Sequence, residues 1–306
     1  MNILQQIFLR LYKQIEVHNS KNIYFGKGYQ LGTGSILNAQ AGKIFLGKNV
    51  RIGKYSELVA AKNSEVQIKD ASTLYSNCKI LGKVTIERYC VLATNIYMSS
   101  GNHFAFEHPE LLIRVQDKIV RKKHTDINQP IHIHEDVWIG NGVFISQGIT
   151  IGRGAVIGAG AIVTKNILPY QVVVGNPAKP IKNRLEFSPP SEINALNQLH
   201  HPYFYQGFDH LKAKNNQENH GFKLHDNGII YMQNGLKTFV ISGFSKINTS
   251  LIITISNQSE QFEILNGTFK FTFNLHEVIA ANYSIIHIST NKSDSIFINS
   301  VIGSNN

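Results

Sequence analysis

The chain has 306 residues, 42% hydrophobic and 16% charged, enough for one large domain or two ordinary ones with a sizeable core. Its 24 glycines exclude a collagen-like protein, its two cysteines exclude a disulfide framework, and no run of apolar residues is long enough for a transmembrane helix. The net charge of +10 is uneven: residues 1–187 hold 23 Lys/Arg against 12 Asp/Glu, and residues 188–306 hold 7 against 8, so the first part attracts anions.

Residues 1–20 read as an N-terminal helix, because Ile3, Leu4, Ile7, Phe8, Leu11 and Ile15 recur at helical spacing. Arg10 and Lys13 interrupt the apolar run and no small-residue cleavage site follows, which argues against a signal peptide; the two cysteines make a reducing compartment, the cytoplasm, the expectation. The helix is expected to pack on the rest of the chain. Peripheral association with a membrane surface is the alternative.

Residues 21–187 carry an internal repeat of period six. One run is Ile133, Ile139, Ile145, Ile151, Ile157 and Val163, and another is Ile68, Leu74, Ile80, Ile86, Leu92 and Met98. Leu46, Ile52 and Leu58 precede these, and Phe25, Leu31 and Leu37 come earlier still. Period six is a short strand plus a tight turn. The residue two before each rung shares its inward face, because strand side chains alternate. Glycines directly after the rungs, such as Gly47, Gly140 and Gly152, suit corners that need unusual dihedrals or close backbone approach. Three such faces close a triangular parallel β-helix, and eighteen rungs give six coils. Cys78 and Cys90 hold inward positions and read as small core residues.

One long interruption, residues 99–132, breaks the ladder. It opens with Ser99-Ser100-Gly101-Asn102-His103-Phe104 and contains His108, Asp117, Arg121-Lys122-Lys123-His124 and Asp126. A loop this long in a tight solenoid is usually functional.

Beyond the repeat, residues 188–219 read as a linker, with Pro189 and Pro190 breaking the chain. Its aromatic stretch LHHPYFYQGFDH is expected to pack on its own domain rather than to stack on a sugar. Residues 220–306 show six short alternating strands, with turn signals at Asp226-Asn227-Gly228, Asn234-Gly235 and Asn266-Gly267, and predict an antiparallel β-sandwich-like accessory domain.

The repeat, the interruption and the stretch GAGAIVTKNILPYQVVVGNPAKPIK together resemble the hexapeptide-repeat acyltransferases, closest to the sugar and polysaccharide O-acetyltransferases. The resemblance implies an all-β fold with a left-handed β-helix, a homotrimer with sites between subunits, and acetyl-CoA as co-substrate without a metal. His103 falls where the family places its catalytic base, with Gly101 where an aspartate is common, so another group must orient the imidazole. Glu107 is one candidate. Trp138 matches an indole near the base. Asn141 and Ala159 match residues whose backbone lines the pantetheine arm, and the Asn141 N–H is a candidate oxyanion donor. Thr164 and Lys165 match residues along the lower cofactor, while Lys179 and Lys182 match basic residues at the nucleotide phosphates.

The function that follows is acetyl transfer to a hydroxyl of a bacterial surface polysaccharide, capsule or lipopolysaccharide. The basic first part suggests an anionic saccharide acceptor rather than nucleic acid. Alternatives are N-acetylation of a nucleotide-linked amino sugar, a zinc-dependent hydratase using His103, His108, His124, His132 or His134, and a non-catalytic carbohydrate-binding β-helix.

Overall fold

The computed structural model describes residues 14–123, 129–210, 221–277, 281–292 and 295–305. The chain divides into two units, Met1–Glu186 and Phe187–Asn306. Most of the expected N-terminal helix lies outside the described residues. At its end, Glu16–His18 form a strand and Ser20–Asn22 a 3-10 turn. No helix among the described residues is long and apolar enough to cross a membrane.

The first unit is a parallel β-helix with three faces. Face A stacks seven strands from Glu16–His18 to Ile162–Val163, and face B six from Ile23–Phe25 to Thr150–Ile151. Face C stacks eight, from Gln30–Leu31 to Gln171–Val174 and then the antiparallel Lys179–Asn183. The rungs align as the period requires: Ile80 with Met98, Ile86 with Ile133, and Leu92 with Ile139. All six are fully buried, each contributing about 1.5–3 kcal/mol of apolar burial as an upper bound. Phe25 is the exception, only partly buried against the core.

The stack has about seven coils rather than the expected six. Val17 pairs with Leu37 at one end, and Ile167 bridges Ile151 while Val173 pairs with Ile157 at the other. These residues lie off the six-residue spacing, so periodicity alone passes over them. Every departure from six falls at the corner between faces A and B. Leu37 and Leu46 are nine positions apart, Leu58 and Ile68 ten, and Met98 and Ile133 thirty-five.

The glycines after the rungs meet the close-approach requirement, not the dihedral one. A Cβ on Gly140 would lie 2.6 Å from the Ala159 nitrogen of the next coil. The left-handed residue comes two positions later, at Gly142 (φ +70°), and other coils place asparagine there, as at Asn77 and Asn95.

The second unit is antiparallel, as the strand pattern predicts, and forms a single sheet of nine strands nearly closed into a barrel. Its edge strands, Gln258–Ile264 and Gly267–Asn274, stack Phe262 on Phe271 with ring centroids 4.7 Å apart. The long strand Phe222–Met232 explains the curl, because it pairs first with Ile296–Ser304 and then with Ser284–Ser289. The expected turn Asp226-Asn227-Gly228 lies inside this strand, at the change of partner. The segment expected to be a linker contributes Glu192–Asn194 and Phe204–Phe208, both paired into the sheet. Tyr203, Phe204 and Phe208 are buried in this unit's core, as the packing expectation for the aromatic stretch requires.

Candidate active site

The interruption leaves from the end of strand Tyr97–Ser99 and returns at Ile131–Ile133. Its foot is fixed by backbone. Ser100 is buried; its N–H donates to the Leu81 carbonyl (3.0 Å) and its Oγ accepts from the Lys83 N–H (2.7 Å). On the returning side, the Gln129 N–H donates to the Ser100 carbonyl (3.0 Å). The loop is therefore held where it begins and where it ends.

Between these ends the structure places a helix, α1 (Ile113–Lys123), where the sequence reads only as loop. Gln116 and Val120, one turn apart, are its buried residues. Gln116 Oε1 accepts from the His108 N–H (3.1 Å) and its Nε2 donates to the Leu111 carbonyl (2.9 Å), pinning the preceding loop to the helix. Arg121, Lys122 and Lys123 fall in the last turn, where cations complement the helix dipole. His124 and Asp126 lie outside the described residues.

Helix α1 supplies the group that orients His103. Asp117 Oδ2 stands 2.6 Å from His103 Nδ1, and Asp117 Oδ1 accepts from the Phe104 N–H at 2.9 Å. The Phe104 N–H, first, and then the His103 contact hold the Asp117 carboxyl below the usual carboxylate range, so it is ionised at neutral pH. An ionised carboxylate only accepts hydrogen bonds. Nδ1 therefore carries a proton, and in the neutral ring the lone pair lies on Nε2, the tautomer a base needs. The His103 side chain is 75% exposed, whereas Asp117 is 16% exposed. Arg121 completes the face: its Nη2 donates to the Asn102 carbonyl (3.2 Å), and its guanidinium lies over the Phe104 ring. Glu107, the candidate orienting group, is exposed, and Asp117 takes the role instead.

The other predicted site residues fall on one face, two corners and the terminal hairpin of the solenoid. Trp138 projects outward from face C, 54% exposed, in register with Val91 and Val156. Asn141 and Ala159 stack at the corner between faces C and A, where the Gly160 N–H donates to the Asn141 carbonyl (2.7 Å). The Asn141 side chain accepts from Asn95 Nδ2 (3.1 Å). Thr164 and Lys165 are exposed at the corner between faces A and B, the corner that carries the interruption. Lys179 and Lys182 are exposed on the terminal hairpin, opposite Val174 and Val172. No hydrogen bond or ring contact among the described residues joins His103 to Trp138, Asn141 or Ala159.

The corner before Trp138 hides a charge ladder that the hydrophobic pattern does not reveal. Glu135 is fully buried. Its Oε1 accepts from Arg88 Nη2 (2.7 Å) and Nε (3.0 Å), and its Oε2 accepts from Arg153 Nη1 (2.8 Å). Arg153 Nε also donates to the Tyr170 hydroxyl (3.2 Å). These four side chains come from successive coils of one corner.

Nearby, Glu87 Oε1 meets Lys69 Nζ (2.9 Å) and His132 Nε2 (3.3 Å). His108 meets Glu110 at 3.5 Å. His132 and His134 stack with ring centroids 4.3 Å apart, and no group of three or more His, Cys, Asp or Glu able to hold a metal occurs among the described residues.

Residues 130–165 match a family model described as bacterial transferase hexapeptide (six repeats). No curated protein matches the chain. Among solved structures, a variant of AntD, an N-acyltransferase from Bacillus cereus in complex with dTDP and coenzyme A, is 16% identical with a TM-score of 0.40, covering 57% of this chain and 80% of its own. A maltose O-acetyltransferase from Clostridium difficile 630 is 26% identical with a TM-score of 0.32, covering 54% of this chain and 68% of its own.

Proposed function

We propose that this chain, which belongs to the hexapeptide-repeat, left-handed β-helix acyltransferases, moves an acetyl group from acetyl-CoA to a sugar hydroxyl of a bacterial surface polysaccharide. The observation that carries the reading is the His103–Asp117 pair, placed on the one large interruption of the ladder. A sugar hydroxyl is a weak nucleophile at neutral pH. His103 Nε2 accepts its proton as the oxygen attacks the thioester carbonyl, Asp117 holds Nδ1–H, and the carbon–sulfur bond breaks. The proton passes to the leaving thiolate, giving an ester and free coenzyme A. No covalent enzyme intermediate is needed.

The remaining residues lie apart on one chain: Trp138 on face C, Asn141 and Ala159 at the corner between faces C and A, Thr164 and Lys165 at the corner between faces A and B, and Lys179 and Lys182 on the terminal hairpin. We assign them to a site completed by a second copy in a homotrimer. Trp138 would cover the acceptor, the Asn141 N–H would face the oxyanion, and Ala159 would line the pantetheine arm. Thr164 and Lys165 would lie along the lower arm, and Lys179 and Lys182 would supply compact positive charge for the phosphates. Arg121 of helix α1, which contacts Asn102 and Phe104 on either side of His103, favours an anionic acceptor.

The test is acceptor chemistry. Purified protein with acetyl-CoA and capsular or lipopolysaccharide polymer should release free thiol and leave a base-labile acetyl ester on the polymer. An acetamide on a nucleotide amino sugar, with no ester on polymer, would replace this reading with N-acetylation.

A further inference from the structure

The corner between faces A and B carries more than the interruption. Two of its longer turns, after Leu37 and after Leu58, lie below the foot of the loop. Between them and that foot runs an open groove of about 530 Å³, lined by Lys43, Asn63, Glu65, Lys83, Thr85 and Pro130 among others. Lys43 is in register with Glu65 on face B, Lys83 follows one coil on, and the Lys83 carbonyl accepts from the Ile131 N–H beside Pro130 (3.0 Å). The groove therefore crosses three strand spacings, about 14 Å in all. It ends at the catalytic loop: the Lys83 N–H donates to Ser100 Oγ, three residues before His103.

We propose that this groove binds the distal sugar units of an acidic oligosaccharide chain whose acceptor hydroxyl lies at His103. The proposal rests on the acyl-transfer reading for its purpose. The lining has the chemistry a sugar chain needs: ammonium, amide, hydroxyl and carboxylate groups with both donor and acceptor capacity. Two lysines against one glutamate leave a small positive excess, enough to favour an acidic chain and far short of the dense cationic surface that nucleic acid requires. On the same face, Tyr24 and Phe45 stack at 4.5 Å with an interplanar angle of 7°, and Tyr24 is 46% exposed, a flat aromatic surface next to Lys43 along the strand. The longer turns at this corner, which the β-helix does not need for its own closure, form the groove's walls.

The experiment measures binding separately from catalysis. Full-length protein and its His103→Ala variant are applied to an array of acidic capsular and lipopolysaccharide oligosaccharides, with uncharged maltodextrins and single-stranded DNA alongside. Both should bind the same acidic oligosaccharides, with affinity rising as the chain lengthens. Lys43→Glu and Thr85→Trp, on outward positions of face B, should each weaken that binding at least ten-fold. They should leave thiol release with a monosaccharide acceptor unchanged. Unaltered binding by both variants, no acidic oligosaccharide bound, or stronger binding to DNA would overturn the groove assignment. Full activity in His103→Ala would instead remove the base and leave the binding result standing.

Discussion

A histidine accepts a proton efficiently only when its other nitrogen is committed, and Asp117 commits Nδ1 of His103. Asp117→Asn should lower kcat about 10²-fold while leaving the KM for acetyl-CoA unchanged, because an amide can donate to Nδ1 and turn the lone pair away from the substrate. Glu107→Gln should leave kcat within about two-fold, which steady-state kinetics on the same preparation would check. The depressed pKa of Asp117 gives the sign of its pH dependence. Its contribution is complete above the ordinary carboxylate range and is lost only as pH falls through the lower folded value. His103 is legible in the sequence because it opens the interruption. Asp117 is not, because it lies fourteen residues away on a helix whose pattern is two buried positions, Gln116 and Val120, one of them polar.

At the scale of elements, the coils are held by their rungs, and the corner before Trp138 by ions. Removing the Glu135 charge leaves Arg88 and Arg153 buried beside each other. Glu135→Gln should therefore destabilise the β-helix by about 3–5 kcal/mol, read as an earlier first transition in urea unfolding. Glu87 offers a pH test. Burial raises its pKa, but the His132 hydrogen bond and the Lys69 ammonium outweigh burial and hold it below the usual range. A depressed folded pKa stabilises the protein above the unfolded value of about 4.3, and that stability is lost as pH falls through the folded value. Glu87→Gln should flatten the decline in melting temperature on acidification. An unchanged slope would remove Glu87 from the account.

The elements differ in how plainly the sequence displays them. The rungs were legible because each coil repeats one inward contact at one spacing, as Ile133, Ile139 and Ile145 do. The ladder of Arg88, Glu135 and Arg153 hides in turn positions, where charge reads as solvent exposure. In the second unit the strand Gln258–Ile264 is an edge whose outward residues are mostly polar, so its alternation is weak. The bend at Gly228 likewise reads as a turn until the strand is seen to change partners there.

At the scale of the whole molecule, the proposed site needs two copies. Mixing His103→Ala with Trp138→Ala subunits by co-expression should restore activity, to roughly a quarter of wild-type sites if assembly is random. Mixing after separate purification without subunit exchange should restore none. The two cysteines make such assays clean. Both are fully buried, and burial pushes the Cys78 thiol up to about 11 and the Cys90 thiol further up. Native protein should show no fast-reacting thiol toward a disulfide reagent, and two per chain should appear on unfolding.

That silence lets released coenzyme A be read directly in the presence of enzyme. The most direct measurement is therefore the rate of thiol release from acetyl-CoA, with polysaccharide acceptor present, for wild type and His103→Ala at equal folded concentration. A general base at His103 predicts a loss of about 10²- to 10⁴-fold in kcat with acetyl-CoA binding retained. A variant that releases coenzyme A as fast as wild type would contradict the assignment.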